Sequence, residues 1–315
     1  MIIPGMDTTA LGVTPLEQLG VIRASGADAV SFLQGQLTND VLALGDDRAR
    51  LAGWCSPKGR LLASFVVWRE AGTGDVLLAC ARDLLAPTLK RLSMFVLRAK
   101  CRLVDASAEV ALHGAAGAPA AALVGDAAVW TRVERDGRTA IRLPDAAGTV
   151  RALVAGPPPA GPAGPAMTPE VWRWLEVQSG VVAIEAATVD RFVPQMVNHE
   201  LVGGVDFKKG CFPGQEVVAR SQYRGTTKRR TFLYAVEGAL PAAGQDVHDA
   251  AQPNEPAGTV AMAAPDPSGR GGLTLVELRL VSHGSGDLRL GALDGARLVE
   301  RPLPYALPLE PGGTA

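Results

Sequence analysis

Gly203-Gly204-Val205-Asp206-Phe207-Lys208-Lys209-Gly210-Cys211-Phe212-Pro213-Gly214-Gln215-Glu216-Val217-Val218-Ala219-Arg220 is the most informative run of the chain. Pro194-Gln195 precede it; Tyr223-Arg224-Gly225 and Lys228-Arg229-Arg230 follow. Pro213-Gly214 interrupts the backbone, and residues 215–221 have helix-forming character. A thiol just before a helix N-terminus meets the positive end of the backbone dipole. Lys208 and Lys209 add positive potential. Together these features favour thiolate, the nucleophilic and metal-binding form, and lower the pKa from the ~8.5 of a free cysteine. Gly210 and Gly214 leave room for a reacting group. The competing reading is a buried structural cysteine, the usual role of an unpaired thiol. For Cys55, Cys80 and Cys101, which lie in strand-like apolar runs, the structural reading is preferred.

Arg220, Arg224 and Lys228 recur every four residues, the spacing of one basic stripe on a continuous helix. Gly225 ends the helix, which places 228–230 on a following loop. Such a patch suits a polyanionic tail, such as a chain of glutamates, or an acidic protein face; the alternative is a solvated surface. Trp172 and Trp174 fall on opposite sides of their helix, one toward a core and one available to a cavity; the alternative, preferred on local sequence alone, is two ordinary core or surface tryptophans. An aromatic face suits a flat heterocycle such as a pterin.

Working outward, residues 21–25 read as a strand broken by Gly26, and 27–33 as a short helix stopped at Gly35. Strands at 51–55 and 60–68 are joined by the turn Ser56-Pro57-Lys58-Gly59. A turn at 71–74 precedes a strand at 75–81. Asp83 caps a helix with Leu85, Leu89, Leu92 and Val96 on its apolar face, and 101–104 returns as a strand. The order is mixed α+β. Residues 110–113 then form a strand ended by Gly114 and Gly117, before an Ala-rich helix at 118–124. This echo of 21–35 marks the second unit as a relative of the first. The proline-rich stretch 156–165 excludes helix and central strand and reads as a surface loop. Pro169 opens a helix reaching Gln178. Short strands at 231–236, 258–262, 273–279 and 297–299 suit a small β-barrel or sandwich.

The 315 residues are 47% hydrophobic, enough for two or three domains. With 31 basic against 32 acidic groups, the net charge of -1 gives no general drive toward nucleic acid or anionic membrane. Met1-Ile2-Ile3-Pro4-Gly5 lacks the cationic start of a secretory signal, and apolar runs such as 61–68 are too short to span a bilayer. A cytoplasmic protein is expected. Its four cysteines and four histidines are scattered, without Cys-x-x-Cys or zinc-type spacing, so neither disulfides nor an autonomous metal site is expected.

The run Lys208-Lys209-Gly210-Cys211-Phe212-Pro213-Gly214-Gln215-Glu216 resembles the Lys-Gly-Cys-(Tyr/Phe)-x-Gly-Gln-Glu signature of the YgfZ family. Residues 32–40, Lys58-Gly59-Arg60 and Pro302-Leu303-Pro304-Tyr305 extend the resemblance over most of the chain; it is weakest over 106–165. It implies the fold of the glycine-cleavage T-protein, with two ferredoxin-like α+β subdomains and a C-terminal β-barrel around a central hole. The boundaries fall near 15–105, 106–226 and 227–315, with interleaving of the first two left open. It further implies tetrahydrofolate or a derivative in the hole, and assembly or repair of iron–sulfur clusters in client enzymes, including a radical enzyme that thiomethylates tRNA. The implied partners are iron–sulfur assembly proteins and those clients, with no membrane or direct nucleic-acid contact. Cys211, with Lys208 and Lys209, is the functional thiol site, as shared ligand of a transient cluster, nucleophile or disulfide former. Trp172, Gln215, Glu216, Arg220, Tyr223, Arg224 and Lys228 are the expected folate contacts. Trp172 matches a tryptophan at the folate site of bacterial relatives, whereas a second falls near Leu19 and is missing here. The alternative is the T-protein's own aminomethyl transfer. The carboxylates expected after a Gly pair are missing from 59–64, and Asp75 beyond the next turn is a poor substitute. An RNA-binding module built on 220–230 is a third reading, disfavoured by the near-neutral charge.

Overall fold

A computed structural model describes residues 10–158, 167–223 and 227–308. The first half of the chain runs β1 (Val13–Pro15), β2 (Leu19–Ser25), α1 (Ala29–Gln34), β3 (Ala49–Cys55), β4 (Leu61–Arg69), β5 (Val76–Ala81), α2 (Arg82–Ser93) and β6 (Arg102–Asp105). It continues with β7 (Leu112–Ala116), α3 (Ala118–Val124), β8 (Arg132–Arg135), β9 (Arg138–Ala146), β10 (Thr149–Ala155) and α4 (Pro169–Gln178). Two 3-10 turns, Ala186–Thr188 and Pro194–Val197, lead to α5 (Gln215–Tyr223). The last strands are β11 (Arg229–Glu237), β12 (Asp246–Asp249), β13 (Gly258–Pro265), β14 (Gly271–Arg279), β15 (Leu288–Leu290) and β16 (Leu298–Arg301).

The first five-stranded sheet has the order β3-β4-β5-β2-β6; the second, read from its far edge, is β8-β9-β10-β7-β1. The two match position by position, and the helices α1 and α3 follow corresponding strands. The echo between 21–35 and 110–125 is therefore a repeated unit. The units differ in their last strand. In the first it is β6, which follows α2. In the second it is β1 from the N-terminal part of the chain, with Val13 opposite Ala115. The third sheet, β15-β12-β13-β14-β11-β16, is antiparallel, and an Arg289–Arg297 bridge joins its two edges into a nearly closed barrel.

Helix α4 ties these parts together. Thr168 caps it by accepting the Val171 N–H, and Pro169 occupies the first turn, where a missing N–H costs nothing. Trp172 and Leu175 enter a core shared by the two five-stranded sheets. Trp174 and Val177 enter a second core with Leu233 and Leu275 of the barrel. Both tryptophans are buried.

Some local expectations are corrected. Gly114 does not end a strand; it lies inside β7, because the Trp172 ring packs where a side chain would stand. Asp83 is in the first turn of α2 but does not cap it; its carboxylate accepts the Ala186 N–H across the fold at 3.0 Å. Helix α2 stops at Ser93, so Val96 lies beyond it. Strands β1, β8, β9, β10, β12 and β15 were not anticipated. Of the proline-rich stretch, 159–165 lies outside the described residues.

Candidate functional site

Between the two sheets, α4 and the barrel lies a partly open cavity that offers about 100 Å³ to the centre of a water-sized sphere. Leu19 of the first sheet, Arg151 of the second, Trp172 and Glu176 of α4 and Met262 of the barrel all line it. The Trp172 ring is pressed against Gly114 and lies 5.2 Å below the Arg151 guanidinium. Arg151 donates from Nε to the Pro144 carbonyl at 3.1 Å. Burial lowers its pKa to about 10, which leaves it cationic at neutral pH. Glu176 follows Trp172 by one helical turn, and its carboxylate lies 3.6 Å from Arg173. Arg173 also pairs with Glu185 at 2.6 Å, whose pKa is nevertheless raised by burial.

Three buried atoms in these walls have no hydrogen-bond partner: Trp172 Nε1, Arg151 Nη1 and Glu176 Oε2. Each such group costs on the order of 1–3 kcal/mol. Two donors and an acceptor around an indole fit the flat, hydrogen-bonding ring of a pterin. The sequence reading missed Arg151 and Glu176. Glu176 had a signal, its four-residue spacing from Trp172 on one helix face. Arg151 had only its isolation among the apolar residues of β10.

The cysteine motif lies on a braced loop. The Asp206 carboxylate accepts the backbone N–H of Lys208 at 2.7 Å and of Lys209 at 3.2 Å. Lys209 turns inward: its ammonium donates to the Leu37 carbonyl at 2.6 Å and to the carbonyl of Gln34, the last residue of α1. Its pKa falls to about 8, chiefly through desolvation, opposed by Asp40, Asp206 and Cys211. Gly214 has φ +76°, and its backbone lies where a side chain would stand 2.4 Å from the Ser56 carbonyl and 2.6 Å from Gly59. The motif thus sits directly on the Ser56–Gly59 turn between β3 and β4. Gln195 holds α5 from below, donating to the Val218 carbonyl at 2.8 Å.

Hydrogen bonds connect this loop to the cavity wall. His199 Nε2 bonds the carbonyl of Val182, a cavity residue, at 2.8 Å. With a carbonyl as partner, that nitrogen carries the proton. Burial lowers the imidazole pKa to about 4, so the ring is neutral. The His199 carbonyl accepts the Gly204 N–H at 2.7 Å, and the Thr38 hydroxyl donates to the Gly204 carbonyl at 2.6 Å. The Thr38 carbonyl in turn accepts the Asp206 N–H at 2.9 Å.

Cys211 is the exposed thiol; Cys55 and Cys80 are buried and Cys101 is half-buried. Burial pushes Cys55 and Cys80 to about 12 and also raises Cys101. Lys208 is exposed. Gln215 and Glu216 form the first turn of α5, and Glu216 pairs with Arg220 at 2.7 Å one turn later. Tyr223 is 71% exposed and meets Phe207 edge-on at 5.8 Å. Arg220 and Lys228 line a surface cleft separate from the cavity. Arg224 lies outside the described residues. Among the described residues, Trp172 is the one expected folate contact that lines the central cavity. No group of three or more metal-ligating side chains occurs among the described residues, and none of their helices is long and apolar enough to cross a membrane.

No family model matches the chain. The structure is similar to aminomethyltransferase T of the glycine cleavage system from Bartonella henselae, with a TM-score of 0.70 over 96% of this chain and 88% of that one, at 16% identity. The fold is therefore that of the glycine-cleavage T-protein. Sequence comparison is more specific. The chain is 30% identical over 315 residues to the tRNA-modifying protein YgfZ of Enterobacter sp. (strain 638), covering 94% of each. It is 31% identical over 319 residues to that of Serratia proteamaculans (strain 568), covering 94% of this chain and 93% of the relative. The chain belongs to the YgfZ family.

Proposed function

We propose that this protein binds a reduced folate, tetrahydrofolate or a derivative, in its central cavity. We further propose that it assists assembly or repair of iron–sulfur clusters in cytoplasmic client enzymes, among them enzymes that modify tRNA. The observation that carries the reading is the wall formed by Trp172, Arg151 and Glu176, an indole beside buried polar atoms that lack a protein hydrogen bond. Trp172 offers its indole N–H at the cavity wall, Arg151 donates and Glu176 accepts. Bound folate supplies a carrier for one-carbon units.

Cys211 is the working thiol. One thiolate cannot hold a cluster that takes four ligands, so it acts with an iron–sulfur assembly protein, a client enzyme or a small thiol. The cluster is cargo. Residues 59–64 contribute Ser64 to the cavity wall and no carboxylate, so aminomethyl transfer is not assigned. Titration calorimetry with tetrahydrofolate should show saturable binding, weakened at least tenfold in Trp172→Ala. No binding by the wild-type protein at millimolar folate would overturn the reading.

A further inference from the structure

Apolar side chains tied through the end of α1 to the loop of Cys211 are left uncovered by the fold. Helix α2 ends at Ser93, and the turn after it exposes Met94 (69%), Phe95 (47%) and Leu97 (86%). This turn is fastened, not loose. The Phe95 ring meets Trp54 edge-on at 6.3 Å, and Trp54 Nε1 donates to the Gln36 side chain at 3.4 Å. The carbonyls of the neighbouring Gln34 and Leu37 hold Lys209, two residues before Cys211. The Gln34 side chain also accepts the Leu42 N–H at 3.2 Å, and Leu42 is 61% exposed. On the other flank of the motif stands Tyr223, 71% exposed. One small hub at the end of α1 thus connects exposed Leu42 and the Met94–Leu97 turn with the base of the Cys211 loop.

Around the Met94–Leu97 turn the exposed charged groups are cationic, Lys90, Arg91, Arg98 and Lys100, while Asp40 and Asp206 flank Lys209 on the motif side. Arg98 and Lys208 are exposed and, among the described residues, have no carboxylate partner. Arg91 lies over the Trp54 ring at 5.8 Å and, among the described residues, has no ion pair. Exposed aromatic, Met and Arg side chains are the composition of interface cores, and such a patch on a water-soluble surface calls for a partner.

We propose that this face docks a folded partner protein whose apolar pocket, rimmed by carboxylates, receives Leu97 and Met94 and brings its own ligands to Cys211. The inference rests on the proposed role of Cys211 and adds the surface that selects the partner. Charge argues for a protein with an acidic rim. The apolar side chains need a pocket, which an extended polyanion does not supply.

The test is complementation of a strain lacking this protein, read as client iron–sulfur enzyme activity, with the full chain carrying Leu97→Glu or Met94→Glu. Leu240→Glu, at a 68% exposed site in the barrel domain, is the control. Both test variants should lower client activity at least tenfold and the control should not. Melting temperature, tetrahydrofolate binding and the rate of Cys211 with a small disulfide reagent should match wild type in all three. Full complementation by Leu97→Glu and Met94→Glu overturns the proposal. If Cys211→Ser complements while Leu97→Glu fails, the thiol reading falls and the docking face stands. Two further probes, anionic phosphatidylglycerol vesicles and unmodified tRNA, are offered to the purified wild type. Binding to either that Leu97→Glu abolishes makes the occupant a lipid or an RNA, and overturns the protein partner.

Discussion

Replacing Gly114 with alanine isolates what positions the indole of the cavity. The new methyl would stand 2.5 Å from two ring carbons of Trp172 and 2.8 Å from a third. Carbon atoms pack best at about 3.5–4.0 Å, so the ring or the strand must yield by roughly 1 Å. Neither yields freely. Trp172 is 1% exposed, with the Arg151 guanidinium 5.2 Å from its ring centre. Gly114 is paired on both sides, with Thr14 and Leu153. Its φ lies outside the left-handed region, so alanine carries no backbone strain there and the clash is the whole effect.

Overpacking of this kind costs about 1–3 kcal/mol. The assay is urea unfolding followed by tryptophan fluorescence, paired with folate calorimetry. Gly114→Ala should unfold at lower urea and bind folate more weakly, because a displaced ring closes the cavity it lines. Gly114→Ala combined with Trp172→Phe should recover part of the stability loss, since the smaller ring leaves room for the methyl. A coupling of about 1 kcal/mol between the two sites is expected. An unchanged midpoint for Gly114→Ala, or strictly additive losses, would refute the claim that this close approach sets the indole.

His199 is neutral in the fold with a pKa of about 4, whereas the unfolded chain protonates it near ~6.5. Its contribution is complete above that value and is lost as the pH falls toward 4. Linkage puts the loss at about 2 kcal/mol by pH 5. His199→Gln retains an N–H for Val182, so the stability gap between wild type and variant should shrink by that amount from pH 7 to pH 5; a constant gap in urea midpoints refutes this. A bulky disulfide reagent should label Cys211 in the native protein and reach Cys55 and Cys80 only in denaturant. Cys211→Ser should fold and bind folate yet fail to restore client iron–sulfur activity, while Cys55→Ser, Cys80→Ser and Cys101→Ser complement when they fold. Full complementation by Cys211→Ser returns it to an ordinary thiol.

What was legible in the sequence was local. The Ser56–Gly59 turn, α4 with its Pro169 start and the helix after Gly214 follow from residue preferences that act within a few positions. The burial of Cys55 and Cys80 follows from the apolar runs around them. Gly114 misled because its reason is Trp172, distant in sequence and close only in the fold. The inward turn of Lys209 was equally invisible: the carbonyls that hold it belong to Gln34 and Leu37. Hence the motif reads as two adjacent lysines beside a thiol, while the structure separates one exposed cation from one buried brace. The same separation divides the expected folate contacts. The resemblance grouped Trp172 with the residues of α5, but α4 points Trp172 into the cavity and α5 stays at the surface.

The exchange of β1 into the second sheet decides what the cavity can report. In the first unit the fifth strand follows its own helix, so that sheet is completed locally. The second sheet is completed only when the chain before β2 crosses over to pair with β7. The cavity walls then come from both sheets, α4 and the barrel. A ligand that touches all of them binds only the fully assembled chain and stabilises it by mass action, about 2.7 kcal/mol at a concentration of 100 Kd. Folate saturation would therefore act on both five-stranded sheets, α4 and the barrel together, including the Thr38–Gly204–His199 hydrogen bonds that run from the cavity wall to the loop of Cys211.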